Sequence, residues 1–460
     1  MCEAFCWKGG EMNRKVVIRG VILVLVAIVA FGVVRLRRGG YLPVRRPITA
    51  SPAPTSVPLH AAEATPLPVP TATDTQEPVA VATGAGEPVP TPTVKPTGTP
   101  AAIPTRVVEP PEAVQLPAGF GISVFASGLS DPRMMALDDA GHLYVAERGA
   151  NRIVRLPDRD EDGVADGVEV VVDGLNSPSS LAFRDDGSIY VGETRRVLRV
   201  VLQGDPAVAG DIETIVDGLP SGGHNTRTVL FSPDGAWLYV SVGSSCNVCI
   251  EGDPRRAAVV RYRPDGREEA VYAAGLRNAV GMAFRPGTSE LWVTNNGADW
   301  LGDDQPPETV YRIGEGDDAG WPRCHSGRII DPQFGAEGAC DGVLQPAVEM
   351  QAHSAPLGLA FYTGTQFSER YQGGMFVAFH GSWNREEPTG YKVVFVPFTA
   401  SGTGSATPGP VSDFAAGWLR ADGSRWGRPV DVLTGRDGSL LISDDFGGRI
   451  YRVFYASEAP

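Results

Sequence analysis

Residues 122–156, ISVFASGLSDPRMMALDDAGHLYVAERGANRIVRL, and residues 168–200, VEVVVDGLNSPSSLAFRDDGSIYVGETRRVLRV, repeat one another. In each stretch a short apolar strand runs into a Gly-Leu turn, and a second apolar strand follows. A turn with glycine then leads to a strand centred on Tyr-Val and to a fourth strand. Short runs of β-branched and aromatic residues between turns rich in Gly and Asp are typical of β-strands. The repeated unit is therefore predicted to consist of strands alone.

Four further copies of this unit begin near Ile212, Glu268, Pro346 and Val411. Six copies of about 35 to 65 residues, all strand-like, predict an all-β, six-bladed β-propeller. A single four-stranded blade cannot bury both of its faces, and the ring supplies a neighbour on each side. The last copy contains three obvious strands. Strand 120–126 is therefore predicted to supply its fourth strand and close the ring.

The N-terminal part has a different composition. Residues 20–34, GVILVLVAIVAFGVV, are apolar and uncharged, with basic residues on both sides. A membrane span needs about 20 residues, and flanking arginine side chains can extend a shorter one. Because no small-x-small cleavage site follows, an uncleaved signal anchor is favoured over a removed signal peptide.

Residues 43–111 are rich in Pro, Thr, Ala, Val and Glu, which predicts an extended stalk rather than a core. The predicted organisation is a signal anchor over residues 1–40, a linker over 41–112 and the propeller over 113–460. A stalk after an anchor favours an extracytoplasmic propeller tethered to the membrane, or a secreted one if the signal is cleaved.

Charge and cysteine content narrow the class of protein. The net charge of −14 argues against nucleic acid or anionic lipid as the main partner. The globular part has an even number of cysteines, as expected in an oxidising compartment. Local pairing, Cys246 with Cys249 and Cys324 with Cys340, is the simplest expectation. A zinc site is the alternative, but the second pair of cysteines lacks the tight spacing of a zinc ligand pair.

Residues 158–169, DRDEDGVADGVE, have the spacing of an EF-hand calcium loop, with Gly163 where the chain must turn sharply. The flanking segments are predicted strands rather than helices, so a structural ion in a loop between two blades is expected. The alternative is a solvated acidic loop without an ion. The predicted ligands are Asp158, Asp160, Asp162, the Val164 carbonyl, Asp166 and Glu169.

Polar residues next to the inner strands of separate copies are the candidates for a functional site. They lie in SGGHNTRT (221–228), GLRNAVG (275–281), HGSWNR (380–385) and RWGRPVD (425–431). In a propeller such loops meet at the mouth of the central channel, where ligands bind. The convergence of basic groups predicts a planar, anionic ligand.

At these residues the sequence resembles the soluble quinoprotein sugar dehydrogenases, the glucose/sorbosone dehydrogenase family that uses pyrroloquinoline quinone (PQQ). The resemblance covers about residues 116–455. It is carried by GGHNTRTVLFSPDGAWLYVSVGSSCNVC, GLRNAVG, GWPRCH and AFHGSWNR, which are similar to the sorbosone-dehydrogenase-like branch. It implies oxidation of an aldose or related sugar aldehyde with PQQ and Ca²⁺. Electrons would pass to an external acceptor, a quinone or a cytochrome.

The resemblance also implies roles for individual residues. His224 would act as general base on the substrate hydroxyl while hydride passes to the quinone. Arg277 would stabilise the quinone oxygen that becomes anionic. The backbone carbonyls of Gly297 and Ala298 would hold the Ca²⁺ against the quinone. The residues implied to bind the cofactor are Arg227, Arg277, Asn278, Arg385, Lys392 and Arg428.

Two positions depart from the glucose-dehydrogenase branch. Ser244 stands where that branch has an aspartate that orients the histidine, and Val430 stands in place of a second arginine. Its cofactor lysine has no clear match, and Arg385 or Lys392 is the candidate substitute. The neighbouring acids either neutralise the Ca²⁺ or only solvate their loop; these are Asp303, Asp304 and Glu308.

Two other functions are compatible with a propeller. A calcium-dependent lactonase or other hydrolase would hold its metal with carboxylates and amides at the channel centre. The sequence offers basic groups there, His224, Arg277 and Arg428, which suit an anionic cofactor better. A non-catalytic surface scaffold is equally compatible with the predicted anchor and stalk.

Overall fold

The computed structural model describes residues 106–399 and 406–456. Within these two ranges no helix has the length and apolar character that crossing a membrane requires. The predicted anchor over residues 1–40 and nearly all of the predicted linker lie outside the described residues. Both therefore stay predictions, and so does the extracytoplasmic location.

The described residues form six four-stranded antiparallel sheets, one of them extended by a fifth short strand. Strand β1 is Phe120–Ser127. Blade 1 contains β2 (Pro132–Leu137), β3 (Leu143–Glu147), β4 (Arg152–Leu156) and β5 (Glu169–Val172). Blade 2 contains β6 (Ser180–Phe183), β7 (Ile189–Gly192), β8 (Val197–Gln203) and β9 (Val208–Val216). Blade 3 contains β10 (Val229–Phe231), β11 (Leu238–Val242), β12 (Ala258–Tyr262) and β13 (Ala270–Ala274).

The later blades carry insertions. Blade 4 contains β14 (Ala279–Phe284), β15 (Leu291–Asn295) and β16 (Glu308–Ile313). An insertion then adds β17 (Asp317–Asp318) to blade 3 and forms the hairpin of β18 (Cys324–His325) and β19 (Ile329–Ile330), before β20 (Val348–Met350) completes blade 4. Blade 5 contains β21 (Pro356–Phe361), a 3₁₀ helix (Glu369–Tyr371), β22 (Met375–Phe379), β23 (Lys392–Val396), the hairpin of β24 (Phe398–Thr399) and β25 (Thr407–Pro408), and β26 (Ser412–Ala416). Blade 6 contains β27 (Pro429–Thr434), β28 (Leu440–Asp444), β29 (Arg449–Tyr455) and β1.

Strand β1 closes the ring, as predicted. It lies antiparallel to β29 as the outermost strand of blade 6, with Phe120 opposite Tyr455 and Ser127 opposite Arg449. The sequence copies and the blades are offset by one strand, because each copy opens with the outermost strand of the preceding blade. Strand β5, for example, opens the second copy but pairs with β4 in blade 1. Each blade is thus joined through the chain to the next one.

The aromatic residue of the third strand of each sequence copy, which is the second strand of each blade, has a packing role. In four successive interfaces it makes an edge-to-face contact with a phenylalanine at the end of the next blade's inner strand. The pairs and the distances between their ring centroids are Tyr144–Phe183 (4.9 Å), Tyr190–Phe231 (4.8 Å), Tyr239–Phe284 (5.7 Å) and Trp292–Phe361 (6.0 Å). Such a pair contributes about 0.5–1.5 kcal/mol beyond the area that it buries. The motif recurs because each blade must fit the next.

The six inner strands, β2, β6, β10, β14, β21 and β27, surround the central channel. Their later residues line a cavity of ≈ 560 Å³. Their first residues lie at the other end of the channel, which we call the upper face. The loops that precede the inner strands and the loops between the second and third strands of the blades lie at this face. Three of the polar motifs precede β10, β14 and β27. The fourth, HGSWNR (380–385), was expected next to an inner strand but lies between β22 and β23.

Candidate active site

His224 lies on the loop before β10, and its imidazole is held by Ser244. Nδ1 of His224 is 3.0 Å from the hydroxyl oxygen of Ser244 and 3.1 Å from its carbonyl oxygen. The Ser244 hydroxyl donates its own hydrogen to the Cys246 carbonyl at 2.7 Å. Both Ser244 oxygens therefore act as acceptors toward the imidazole, which places the proton on Nδ1. Nε2 keeps the lone pair that a general base needs.

The imidazole is neutral at physiological pH. Burial lowers the pKa of His224 to about 4, and the positive charges of Arg277, Arg256 and Arg227 act in the same direction. The backbone carbonyl of Ser244 opposes this shift but does not outweigh it.

Two buried arginines fix the His224 loop through its carbonyl groups. Arg227 donates to the carbonyls of His224 (3.1 Å) and Thr226 (2.7 Å) and to that of Pro220. Arg256 donates to Gly222 (3.0 Å) and also reaches Ser221 and Gly243. The guanidinium of Arg227 is thus occupied beneath the loop, and its contact with a cofactor stays a prediction. Sequence reasoning missed Arg256, because its run, DPRRAAVV, reads as an ordinary strand start.

Arg277 and Asn278 come from the loop before β14 and meet His224. Gly243 lies between them: a Cβ atom on this glycine would come within 2.5 Å of the His224 Cβ and 2.6 Å of the Asn278 Oδ1. The backbone nitrogen of Ser244 donates to the Arg277 carbonyl at 2.8 Å. Asn278 Nδ2 donates to Asn296 at 3.0 Å, while its buried Oδ1 has no partner among the described residues. The structure therefore brings the predicted base, arginine and amide together.

Both predicted disulfides are present, and one of them positions Arg277. Cys246 is bonded to Cys249 and Cys324 to Cys340, which leaves no thiolates among these four for zinc. Asn247, inside the first disulfide loop, accepts from Arg277 Nε at 2.9 Å through its carbonyl and from Nη2 at 3.0 Å through Oδ1.

Two further contacts fix this arrangement. Asp299 accepts from Arg277 Nη2 at 2.8 Å. Trp321 from the disulfide-closed insertion donates its indole N–H to the Asn247 carbonyl at 3.2 Å. The insertion after β16 thus braces the loop that holds Arg277.

Arg428 lies before β27, beside a histidine–aspartate pair. It donates through Nε to the His380 carbonyl at 2.9 Å and through Nη2 to the Gly381 carbonyl at 3.2 Å. His380 Nε2 is 2.9 Å from Asp445, and buried Arg133 donates to the same carboxylate at 2.6 Å. Burial lowers the pKa of His380 to about 4. Arg133 was also missed, although it stands at the start of an inner strand, as the other candidates do.

The two candidate substitutes for the cofactor lysine are paired with acidic residues. Arg385 donates to the Asp303 carbonyl and, at 3.0 Å, to the Asp304 carboxylate. Lys392 pairs with Asp413 of the outermost strand of its blade at 2.7 Å. The structure does not bring Lys392 to His224 or Arg277.

The loop of Gly297 and Ala298 is held by a buried carboxylate. Glu308 accepts from the backbone nitrogens of Gly297 (2.7 Å) and Ala355 (3.2 Å), and burial raises its pKa to about 7. Glu308 therefore braces the loop rather than solvating it. Among the described residues, none donates a hydrogen bond to the carbonyl oxygens of Gly297 and Ala298. These two oxygens are free to accept a cation.

The acidic loop of residues 158–168 joins β4 to β5 within blade 1. The prediction that this loop connects two blades is therefore wrong. The error follows from the one-strand offset between sequence copies and blades. The loop nevertheless contacts the closing strand, because Ala165 N donates to the Phe125 carbonyl at 2.8 Å.

Three of the predicted calcium ligands converge and two are engaged elsewhere. Oxygens of Asp158, Asp160 and Asp162 lie within 4.8 Å of one another. Glu169 accepts from Arg155 at 2.7 Å and from Arg159, whose backbone nitrogen donates to Asp166 at 2.8 Å. Ion binding at this loop stays a prediction, and so does the part of the Val164 carbonyl.

The fold and the upper face together define a class: a six-bladed β-propeller with a basic site over one end of its channel. The site is built around a histidine whose Nε2 has no partner among the described residues. The TrAA12-like family model matches residues 114–308 and 331–456. The chain belongs to this family.

The chain is also similar to a curated relative whose name states a function. The pyrroloquinoline quinone-dependent pyranose dehydrogenase of Coprinopsis cinerea is 25% identical over 412 residues, which cover 73% of this chain and 54% of that protein. The chain thus spans about half the length of this curated relative.

Two solved structures share the fold. The holo form of the pyranose dehydrogenase PQQ domain from Coprinopsis cinerea has a TM-score of 0.65 at 23% identity, covering 76% of this chain and 98% of that one. The calcium structure of Trichoderma reesei Carbohydrate-Active Enzymes Family AA12 has a TM-score of 0.66 at 21% identity, covering 77% and 99%.

Proposed function

We propose that this protein is a dehydrogenase that oxidises an aldose or related sugar aldehyde with PQQ as cofactor and Ca²⁺ beside it. The observation that carries the proposal is the junction of His224, Arg277 and Asn278 around Gly243, with Nε2 of His224 left as the basic nitrogen. A relative whose name includes PQQ-dependent pyranose dehydrogenase supports the choice of cofactor.

The residues present fit such a group. PQQ is a planar tricarboxylate, and the upper face carries three buried or largely buried arginines, Arg133, Arg277 and Arg428. Opposite charges are attracted strongly where water is excluded. The Asn278 Oδ1 and the Ser354 hydroxyl are buried without a partner among the described residues, as expected of groups that await a ligand.

Each residue then has a distinct part. Arg428 would bind a carboxylate through a charge-assisted contact. Arg277, already oriented by Asn247 and Asp299, would lie against a quinone oxygen, and Asn278 would bind the cofactor edge. The free carbonyls of Gly297 and Ala298 would hold Ca²⁺. When bound, PQQ supplies the acceptor for the two electrons of the sugar.

His224 accepts the proton of the sugar hydroxyl at Nε2, while its Nδ1–H remains bonded to Ser244. The pKa of about 4 belongs to the protein without a ligand. An anionic ligand beside the imidazole favours the imidazolium and raises this pKa toward the working pH. His224 thus becomes a stronger base once the site is filled.

The rival functions have less support. A hydrolase would need carboxylates free to bind a metal at the channel centre. Of the buried or largely buried carboxylates near the channel, Asp299 pairs with Arg277, and Asp445 pairs with Arg133 and His380. Glu308 accepts two backbone N–H groups, and Asp431 accepts the Met135 N–H at 2.9 Å. A scaffold would not need a buried histidine with a free nitrogen. The external acceptor, a quinone or a cytochrome, and the membrane tether rest on the sequence alone.

The test adds PQQ and CaCl₂ to the purified full chain. We expect a change in the PQQ absorbance spectrum, and dye reduction when aldoses are added. The same mixture with EDTA is the control, and it should show neither. If the spectrum does not change and no sugar in a broad panel reduces the dye, the dehydrogenase proposal is wrong. The hypothesis of a non-catalytic scaffold is then favoured.

A further inference from the structure

Two tryptophans stand exposed and side by side on the upper face. Trp300 and Trp383 are 69% and 67% exposed, and their rings meet at a right angle with centroids 5.1 Å apart. Among the described residues one other aromatic side chain is exposed, Phe446, on the neighbouring blade. The other described aromatic side chains are at least partly buried. Indoles that pack against each other at the surface, outside the core, offer a ligand two apolar faces and two polar N–H groups.

Each indole is close in sequence to a residue that contacts an arginine of the proposed cofactor site. Trp300 follows Asp299, whose carboxylate pairs with Arg277 at 2.8 Å. Trp383 lies two residues after Gly381, whose carbonyl accepts from Arg428 at 3.2 Å. Blade 4 supplies one indole and blade 5 the other. The loops that carry the indoles are therefore the loops that contact Arg277 and Arg428.

The two loops that carry the indoles are tied to each other. Arg385 donates to the carbonyl of Asp303, and the backbone nitrogen of Glu386 donates to the Asp303 carboxylate at 3.1 Å. His353 Nε2 is 2.8 Å from the Gly302 carbonyl. Trp300 itself has a φ of +70°, a conformation that bulky residues adopt only when their surroundings impose it. The indoles are thus presented in a fixed arrangement.

We propose that Trp300 and Trp383 form a sugar-binding subsite that stacks on the apolar C–H face of a pyranose ring. This inference rests on the proposed function and deepens it. The imidazole of His224 is largely buried, whereas both indoles are about two-thirds exposed, so a ring on the indoles lies further out than the ring being oxidised. The substrate class is therefore a glycoside or oligosaccharide of at least two units.

The surroundings favour a sugar over a protein partner. An indole has a flat apolar face and one polar N–H, which match the apolar face and the hydroxyl edge of a pyranose. Charged groups surround the pair: Asp304 is 88% exposed, and Glu386 and Glu387 are exposed beside Trp383. Carboxylates accept hydrogen bonds from sugar hydroxyls. Two apolar side chains within a charged rim are too small a patch for a stable protein interface.

The test measures binding without turnover. The full chain without cofactor is titrated with glucose, cellobiose and maltose by calorimetry, in the wild type and in Trp300→Ala, Trp383→Ala and Phe446→Ala. Phe446→Ala is the matched control, an exposed aromatic on the same face outside the pair. We expect a disaccharide to bind more tightly than glucose. Each tryptophan variant should lose about tenfold in disaccharide affinity, and the control none.

The cofactor-loaded protein gives the second readout. The KM for the disaccharide should rise about tenfold in the tryptophan variants, with kcat and the KM for glucose unchanged. Equal disaccharide affinity in wild type and both tryptophan variants, or no preference of the wild type for a disaccharide, overturns the subsite. If disaccharide binding depends on the tryptophans but the protein shows neither a spectral change with PQQ nor dye reduction with any sugar, the subsite stands and the proposed dehydrogenase is rejected. Thermal unfolding of each variant checks that the fold is intact.

Discussion

The hydroxyl oxygen of Ser244 lies 3.0 Å from Nδ1 of His224, where the resemblance to glucose dehydrogenases implies an aspartate. The serine orients the imidazole and fixes its tautomer as a carboxylate would. Burial and the neighbouring arginines lower the pKa of His224 to about 4, and the serine lacks the negative charge that would oppose them. The orientation of the base and its proton affinity are thus set by different groups in this protein.

Replacing the serine separates these two effects. In Ser244→Asp the new carboxylate favours the imidazolium, so the pKa of His224 should rise by about one unit or more from its value of about 4. Because a protonated imidazole cannot act as base, kcat/KM should fall at a higher pH than in the wild type. NMR titration of the imidazole C–H signals measures the pKa directly. In Ser244→Ala, which keeps the backbone carbonyl at 3.1 Å, the pKa of His224 should stay as low as in the wild type. Identical titration curves in Ser244→Asp and wild type would contradict this account.

Replacing His224 by alanine and replacing Arg428 by alanine should affect different properties of the enzyme. His224→Ala should keep PQQ bound yet lose turnover by a factor of about 100 or more, because only the base is removed. Arg428→Ala should weaken PQQ binding, because a charge-assisted contact to a carboxylate is lost. Equilibrium titration of PQQ together with single-turnover rates distinguishes the two. Normal turnover in His224→Ala would show that the base is misassigned while leaving the cofactor in place.

The acidic loop of blade 1 is expected to bind one structural Ca²⁺. Removal of the ion should lower the unfolding temperature of the protein without PQQ, because an ion that binds only the folded state stabilises it by mass action. The double variant Asp160→Ala with Asp162→Ala removes two of the three converging carboxylates and should no longer respond to chelator. Calorimetric melting with and without EGTA makes the comparison. A response that persists unchanged in the double variant would reject this site.

Closure of the ring by β1 predicts where the N-terminus can be shortened. A chain that lacks residues 1–112 should fold, because the strand pairing with β29 begins at Phe120. A chain that lacks residues 1–127 should not, because β29 becomes an open edge and the Phe120 contacts with Phe367 and Phe414 are lost. Circular dichroism and thermal melting test both truncations. Similar melting of the two would show that β1 is dispensable.

The architecture could be read from the sequence because its determinants recur along the chain. One packing contact is repeated from blade to blade, and both of its residues recur in the sequence copies. An example is Tyr144 with Phe183. The polar residues before inner strands, such as His224 and Arg277, occupy equivalent positions in their copies. Local periodicity therefore determined the ring, its closure and the face on which the site lies.

The partners of those residues were decided by the tertiary structure alone. Arg133 meets Asp445 across 312 residues, and Arg256 reaches the His224 loop through Gly222, 34 residues away. Such contacts join loops whose length and direction differ from copy to copy. The spacing of residues in the sequence therefore does not predict them. The same holds for Glu169, whose carboxylate accepts a hydrogen bond from Arg155, a contact that the spacing of the acidic loop does not predict. Hydrogen-bond geometry between distant loops, which only the closed ring creates, determines which nitrogen of His224 is basic and which carboxylates are free.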